Sequence, residues 1–254
     1  MGGIACLIII YIAAGIGESH SQAGLFITAG FYIVFSIVSL YLLPMSPAST
    51  RFQSFLGAVK TVQLKQFFLP LIAIWLINEA IDVFIFFGPL LARTNYGVSI
   101  SAIGLYLLII QFIAFPATWL FGAIGRKFGT VNAIFLSVII WVLVVVFTAF
   151  SRSILQLSLA AFSGSLVIGS TQALLRAYYS DICKREHAGL AFGFYSIAAR
   201  SAAIIGPLTY GAVSLATGSQ NYALLLTIIP FSVGMMLLLL YTKNQVLTQN
   251  NSVC

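Results

Sequence analysis

Runs of about twenty apolar residues recur along almost the whole of this 254-residue sequence, broken only by short polar stretches. A helix crossing a hydrocarbon core of about 30 Å needs about 20 such residues, at 1.5 Å of rise each. Eight runs meet or approach that length: 3–16, 23–43, 67–92, 101–125, 131–150, 154–178, 189–216 and 221–241. Charge confirms what lies around them. Only 7% of the residues are charged and 61% are hydrophobic, whereas a soluble domain carries about 25% charged residues to wet its surface. Most of this surface must therefore face lipid. A β-barrel would show short segments of alternating polarity, so the expectation is an all-α, polytopic bundle of about eight transmembrane helices.

The basic residues orient that bundle. Arg51, Lys60 and Lys65 precede the third run, Arg126 and Lys127 follow the fourth, Lys184 and Arg185 follow the sixth, and Lys243 follows the eighth. The opposite connections hold Arg93 and Arg152. Positive charge collects on the cytoplasmic side, so both termini are expected there, and an even number of crossings agrees. The net charge of +7 is thus a statement about topology, and no nucleic-acid partner is expected. The first run has no basic residue before it and no clear cleavage site, so it reads as a helix rather than a signal peptide. The Asn250-Asn251-Ser252 sequon falls on the cytoplasmic side, where it stays unmodified.

The longest connection, 44–66, divides the chain into two helices (1–43), six helices (67–241) and a tail (242–254). Phe52, Phe55, Leu56 and Val59 recur within it at helical spacing, with Arg51, Gln53, Lys60, Gln63 and Lys65 largely elsewhere. That pattern suits an amphipathic helix lying on the membrane surface; a solvated linker is the plainer alternative. Six helices after such a linker suggest one half of a transporter built from pseudo-symmetric halves.

Ionisable side chains inside a span are the informative exceptions. Glu79 and Asp82 lie in the third run, in Asn78-Glu79-Ala80-Ile81-Asp82, and Arg200 lies in the seventh. Glu79 is about 18 Å and Arg200 about 16 Å from the cytoplasmic start of its run, so all three sit near the midplane. Facing lipid, each would cost about 2.5–3.5 kcal/mol, or about 8–10 kcal/mol together. They are expected to face the bundle interior or a wet cavity, with one carboxylate paired to Arg200. Three residues apart, the two acids share a helix face. A carboxylate beside Arg200 holds its charge, which leaves the other free to titrate. The cluster reads either as a substrate and coupling site or as a fixed ion pair between helices.

Gln111 and Gln172 are amides within spans, suited to a substrate or to interhelical hydrogen bonds. Arg176, near the end of the sixth run, lines a cavity mouth or snorkels to the interface. The small residues Ala198, Ala199, Ser201, Ala202, Ala203 and Gly206, followed by Pro207, let a neighbouring helix approach closely. Enzyme motifs are absent: no H-E-x-x-H, G-x-S-x-G or P-loop occurs. His20 and His187 lack ligand-spaced partners, and Cys6, Cys183 and Cys254 form no metal-binding pattern. Neither a cofactor nor a metal is expected, nor is an enzyme.

Two sets of residues carry a family resemblance. Gly122-Ala123-Ile124-Gly125-Arg126-Lys127-Phe128-Gly129 resembles the G-x-x-x-D-R-x-G loop motif of the major facilitator superfamily, with Arg126 where the motif has aspartate. Gln111-Phe112-Ile113-Ala114-Phe115-Pro116, Gly169 through Arg176, Phe192-Gly193-Phe194-Tyr195 and Gly206-Pro207 follow in the order and spacing of the vacuolar amino-acid effluxer family tied to autophagy and its bacterial relatives. Asn78-Glu79-Ala80 resembles that family's Asn-Asp-Gly, and Gly2-Gly3 its glycine pair. The resemblance implies a partial major facilitator fold, the last eight helices of twelve. It also implies secondary active transport of small solutes such as amino acids by alternating access, in a bacterial inner membrane or a eukaryotic vacuolar or lysosomal one. The expected partners are the bilayer, a small-molecule substrate, a proton as coupling ion, and a missing N-terminal segment or partner chain. Asn78, Glu79, Asp82, Gln111, Gln172 and Arg200 are the candidate binding or coupling residues; Gly122, Arg126, Lys127 and Gly129 are the candidate gating loop. A truncated, transport-incompetent membrane protein, or a half-module needing a partner chain, is the alternative reading.

Overall fold

The computed structural model describes residues 21–42, 64–183 and 188–251, and every regular element among them is helical. In chain order these are α1 (Ser21–Leu42), α2 (Leu64–Tyr96), α3 (Ile100–Phe128), α4 (Thr130–Ala149), α5 (Ile154–Ile182), α6 (Ala188–Thr217), α7 (Gln220–Leu226) and α8 (Ile228–Asn251). Six helical stretches among the described residues have the length and apolarity to cross a membrane, with α7 and α8 together making the sixth. The expected count of eight is corrected accordingly. In α1 the apolar part, Ala29–Leu42, is short of a full crossing, and its large side chains other than Phe31 are exposed. Run 3–16 and the amphipathic segment 51–60 lie outside the described residues.

Local chemistry sets the helix ends. Ser99 and Ser153 cap α3 and α5, their hydroxyls accepting from the backbone N–H of Ala102 at 3.2 Å and Gln156 at 3.3 Å. One residue, Gly129, joins α3 to α4 with φ of 96°, a conformation that a side chain resists. The glycine of the loop motif therefore has a backbone reason. The last span is interrupted at Thr227, whose N–H and hydroxyl both turn back to the Leu224 carbonyl, at 3.1 and 2.7 Å. Pro230 has no N–H to offer the Leu226 carbonyl four residues earlier, which locates the break.

The helices pack as two groups of three. α5 packs on α3 and α4, while α2 packs on α6 and on the α7–α8 span, and α2 and α5 meet between them. Where lipid surrounds a bundle, helices associate through close packing and internal hydrogen bonds rather than apolar burial alone. The joint between groups shows both. Trp141 is fully buried, edge-on to Phe84 and stacked on Phe231, and its indole N–H donates to the Thr171 hydroxyl at 3.2 Å. Across α2 and α8, Gly234 brings the backbones together so closely that a Cβ there would lie 2.8 Å from the Ala73 carbonyl oxygen.

Candidate functional site

The helical positions of the polar residues make two separate cavities around the middle of α2. Asn78 and Asp82 on α2, Gln172 and Arg176 on α5, and Tyr195, Ser196 and Arg200 on α6 line the first, an open cavity of about 520 Å³. Four of the six expected binding or coupling residues thus meet in one place, with Arg176 beside them on the cavity wall. Asn78 is buried and its amide donates to the Ile74 carbonyl at 3.0 Å, which fixes the side chain against its own helix. Asp82 and Gln172 are half-buried, and Arg176 and Arg200 are exposed. The Trp75 indole N–H donates to the Ser201 hydroxyl at 3.1 Å and ties α2 to α6 next to Arg200. Tyr179, Phe192 and Tyr195 form an aromatic cluster with ring centroids 5.5–6.2 Å apart. The cavity therefore has a charged middle and an aromatic flank.

Glu79 turns elsewhere. It is 7% exposed and lines the second cavity, about 370 Å³, with Thr209 and Tyr210 of α6 and with the broken last span. The Thr209 hydroxyl donates to its Oε1 at 3.2 Å. Three residues on a helix leave side chains about 60° apart. On α2, which has protein on several sides, that angle suffices to aim Glu79 and Asp82 into different cavities. The expected shared face is therefore corrected. The expected ion pair is absent as well: among the described residues no basic nitrogen comes within 4.0 Å of a carboxylate oxygen. Arg200 stands in the same cavity as Asp82 without that contact.

Gln111 is exposed on α3 and lines neither cavity. In the loop motif, Arg126 and Lys127 are both exposed. A Cβ at Gly122 would meet only Arg126 Nη1, at 3.7 Å, while Lys127 sits 5.1 Å from the Phe128 ring centroid. Gly125 instead packs tightly, its Cβ position 3.2 Å from Leu174 of α5. The sequence did not single out Thr209, Tyr210 or Ser196, and it offered Tyr195 only as part of the 192–195 family motif, not as a site residue. The available signal for Thr209 was its place one turn beyond Gly206. There α6 presses so close that a Cβ would lie 3.1 Å from the Glu79 carbonyl oxygen. Among the described residues no group of three or more His, Cys, Asp or Glu is placed to hold a metal ion.

Comparison with known proteins fits this architecture. A family model described as "Vacuole effluxer Atg22 like" matches residues 1–250. An uncharacterized MFS-type transporter, YxiO of Bacillus subtilis (strain 168), is 25% identical over 230 residues, covering 87% of this chain and 54% of the relative. The chain spans about half the length of that curated relative.

Proposed function

Because the chain belongs to the vacuole effluxer Atg22-like family, we propose that it is a multi-pass membrane transporter of small zwitterionic solutes such as amino acids, and not an enzyme. The observation that carries this reading is the cavity that holds Asp82 and Arg200 without joining them. A fixed ion pair would have satisfied both groups internally. Held apart in one cavity, they complement the two charged ends of a zwitterion. Arg200 presents a planar guanidinium to a carboxylate, and Asp82 presents a carboxylate to an ammonium group. Gln172 and Ser196, which also line the cavity, add neutral hydrogen-bonding groups, and a volume of about 520 Å³ suits a small solute.

Arg200 is exposed about midway along a membrane-length helix. Against lipid it would cost about 2.5–3.5 kcal/mol, so this face belongs against water or further protein. In the reading proposed here, the cavity lies between this six-helix unit and a second set of helices, either 1–43 with a further segment or a partner chain. Alternating access then exposes the cavity to one side of the membrane at a time. Both termini are assigned to the cytoplasm, where the end of α3 at Arg126 and Lys127 acts with the Gly129 connection as the gating element, and 44–66 as the linker.

The test is counterflow of labelled amino acids into proteoliposomes. Arg200→Gln and Asp82→Asn each remove one charged hydrogen-bonding partner, worth about 1.5–3 kcal/mol. The expected loss of apparent affinity is therefore about 10–150-fold for each. Unchanged counterflow in both variants would refute the assignment.

A further inference from the structure

A third cavity lies away from the solute site, toward the end of the helices opposite Arg126 and Lys127. It is a slot of about 110 Å³ between α2 and α3, floored by α5, and it shares no residue with the other two cavities. On α2, Ile85, Gly88, Pro89 and Ala92 line it at i, i+3, i+4 and i+7. The same spacing runs from Ile103 to Ile110 on α3 and from Ile154 to Ala161 on α5. Each stripe is two turns long, so the slot follows the helices for about 10 Å. Gly88 widens it, since a Cβ there would meet nothing within 4 Å. The wall is almost wholly carbon, and its hydroxyls are already engaged. Thr148 donates to the Val144 carbonyl at 2.7 Å. Ser158 donates to the Ile154 carbonyl at 2.8 Å, with the Tyr106 hydroxyl 3.1 Å away. A buried water needs about two to four polar partners, so this slot is no place for water.

Two arginines stand where the slot reaches the membrane surface. The Tyr96 hydroxyl donates to the Ser151 carbonyl at 2.8 Å, which ties the end of α2 to the connection before α5. Arg93, one turn beyond Pro89, and Arg152, next to Ser151, are thereby brought to the same end of the slot. Both are exposed. Among the described residues no acid accompanies them, since Glu79 and Asp82 lie mid-helix and Asp181 at the far end of α5. We propose that the slot holds one acyl chain of an anionic phospholipid from the surrounding leaflet, with its headgroup at Arg93 and Arg152. Lipid is the solvent around these spans, and an apolar slot beside it fills with lipid rather than water. An extended chain matches three parallel stripes better than a compact solute does. The guanidinium groups suit phosphate oxygens. Together they favour a lipid of net negative charge over a zwitterionic one, whose own cation would be set beside them. The site stands whether or not the chain transports a solute.

Native mass spectrometry of the intact chain in detergent, titrated with dioleoylphosphatidylglycerol or dioleoylphosphatidylcholine, counts bound lipid and needs no transport. The expected result is one tightly held phosphatidylglycerol. Each arginine beside an anionic headgroup contributes about fivefold, so this lipid should bind about 30-fold more tightly than phosphatidylcholine. Arg93→Gln combined with Arg152→Gln should erase that preference while one lipid of either kind still binds. Ala92→Leu and Ala161→Leu fill the slot from different walls. Each should displace about two methylenes of the guest, at about fourfold apiece, and weaken binding about 15-fold. Ala177→Leu, exposed near the other end of α5, should leave binding unchanged. Should the filling variants misfold, the arginine pair still decides. Equal binding of the two lipids by the unmodified chain would overturn the proposal, as would a preference that survives loss of both arginines. A lipid indifferent to both slot-filling variants would overturn it too. So would loss of the lipid on adding the second set of helices, since the slot would then belong to protein.

Discussion

Replacing Gly234 by alanine probes how closely α2 and α8 must approach. The added Cβ would lie 2.8 Å from the Ala73 carbonyl oxygen, 2.9 Å from Ile77 Cγ1 and 3.2 Å from Leu76 Cβ. The nearest atom belongs to a helix backbone and cannot swing aside as a side-chain tip can. Relief requires the two helices to separate by about 0.6 Å, judged against an ordinary contact of 3.4 Å. Overpacking of this kind costs about 1–3 kcal/mol. Alanine also favours a helix over glycine by about 1 kcal/mol, so the comparison needs a control that removes that gain. Gly211, inside α6, has nothing within 4 Å of its Cβ position, and Gly211→Ala carries the propensity gain alone. The difference between the two variants is then the packing cost. At about 2–4 °C per kcal/mol for a protein of this size, Gly234→Ala should melt about 2–12 °C below Gly211→Ala. Thermal denaturation in detergent, followed by tryptophan fluorescence, measures it. Equal melting temperatures would refute the close backbone contact.

Trp141→Ala removes the aromatic joint between the two helix groups and is expected to destabilise by about 3–5 kcal/mol. Trp141→Phe, which keeps a ring beside Phe84 and Phe231, should cost less in the same melting assay. Gly129→Ala forces a side chain onto a backbone with φ of 96° and should cost about 1–3 kcal/mol. Gly122→Ala, which meets only the flexible end of Arg126, should melt no lower than the unmodified chain. Burial pushes the Cys183 thiol, just beyond the end of α5, up to about 11 from its ordinary 9.0. The reactive thiolate is therefore about 100-fold scarcer than for an ordinary thiol near neutral pH. In a Cys6→Ser, Cys254→Ser background, maleimide labelling of Cys183 should be correspondingly slow and accelerate as pH rises; ordinary labelling at neutral pH would contradict this.

Hydropathy made the spans legible because lipid imposes one rule on every crossing. The expected runs 131–150 and 154–178 correspond to α4 (Thr130–Ala149) and α5 (Ile154–Ile182). Charge inside a span likewise singled out Asp82 and Arg200, which do share a cavity. What stayed hidden was direction. Two acids three residues apart look like neighbours on a lipid-facing helix, but on α2 their 60° separation crosses from one cavity to another. Gln111 shows the same limit, since an amide within a span does not reveal which way its helix is turned. The break at Thr227 had a signal in Pro230, which hydropathy alone passes over because the surrounding residues are apolar. The Trp75–Ser201 and Glu79–Thr209 contacts join residues more than a hundred positions apart, and no local pattern encodes such pairings.

The central claim is that the cavity between Asp82 and Arg200 takes a small zwitterion. Amino-acid counterflow in proteoliposomes tests it most directly, using the chain alone and the chain co-reconstituted with a candidate complementary set of helices. In whichever arrangement supports exchange, the account predicts that Arg200→Gln and Asp82→Asn each weaken it by about 10–150-fold, while Gln111→Ala, outside the cavity, leaves it intact. Exchange indifferent to both charged residues, or no exchange in either arrangement from correctly inserted protein, would contradict it.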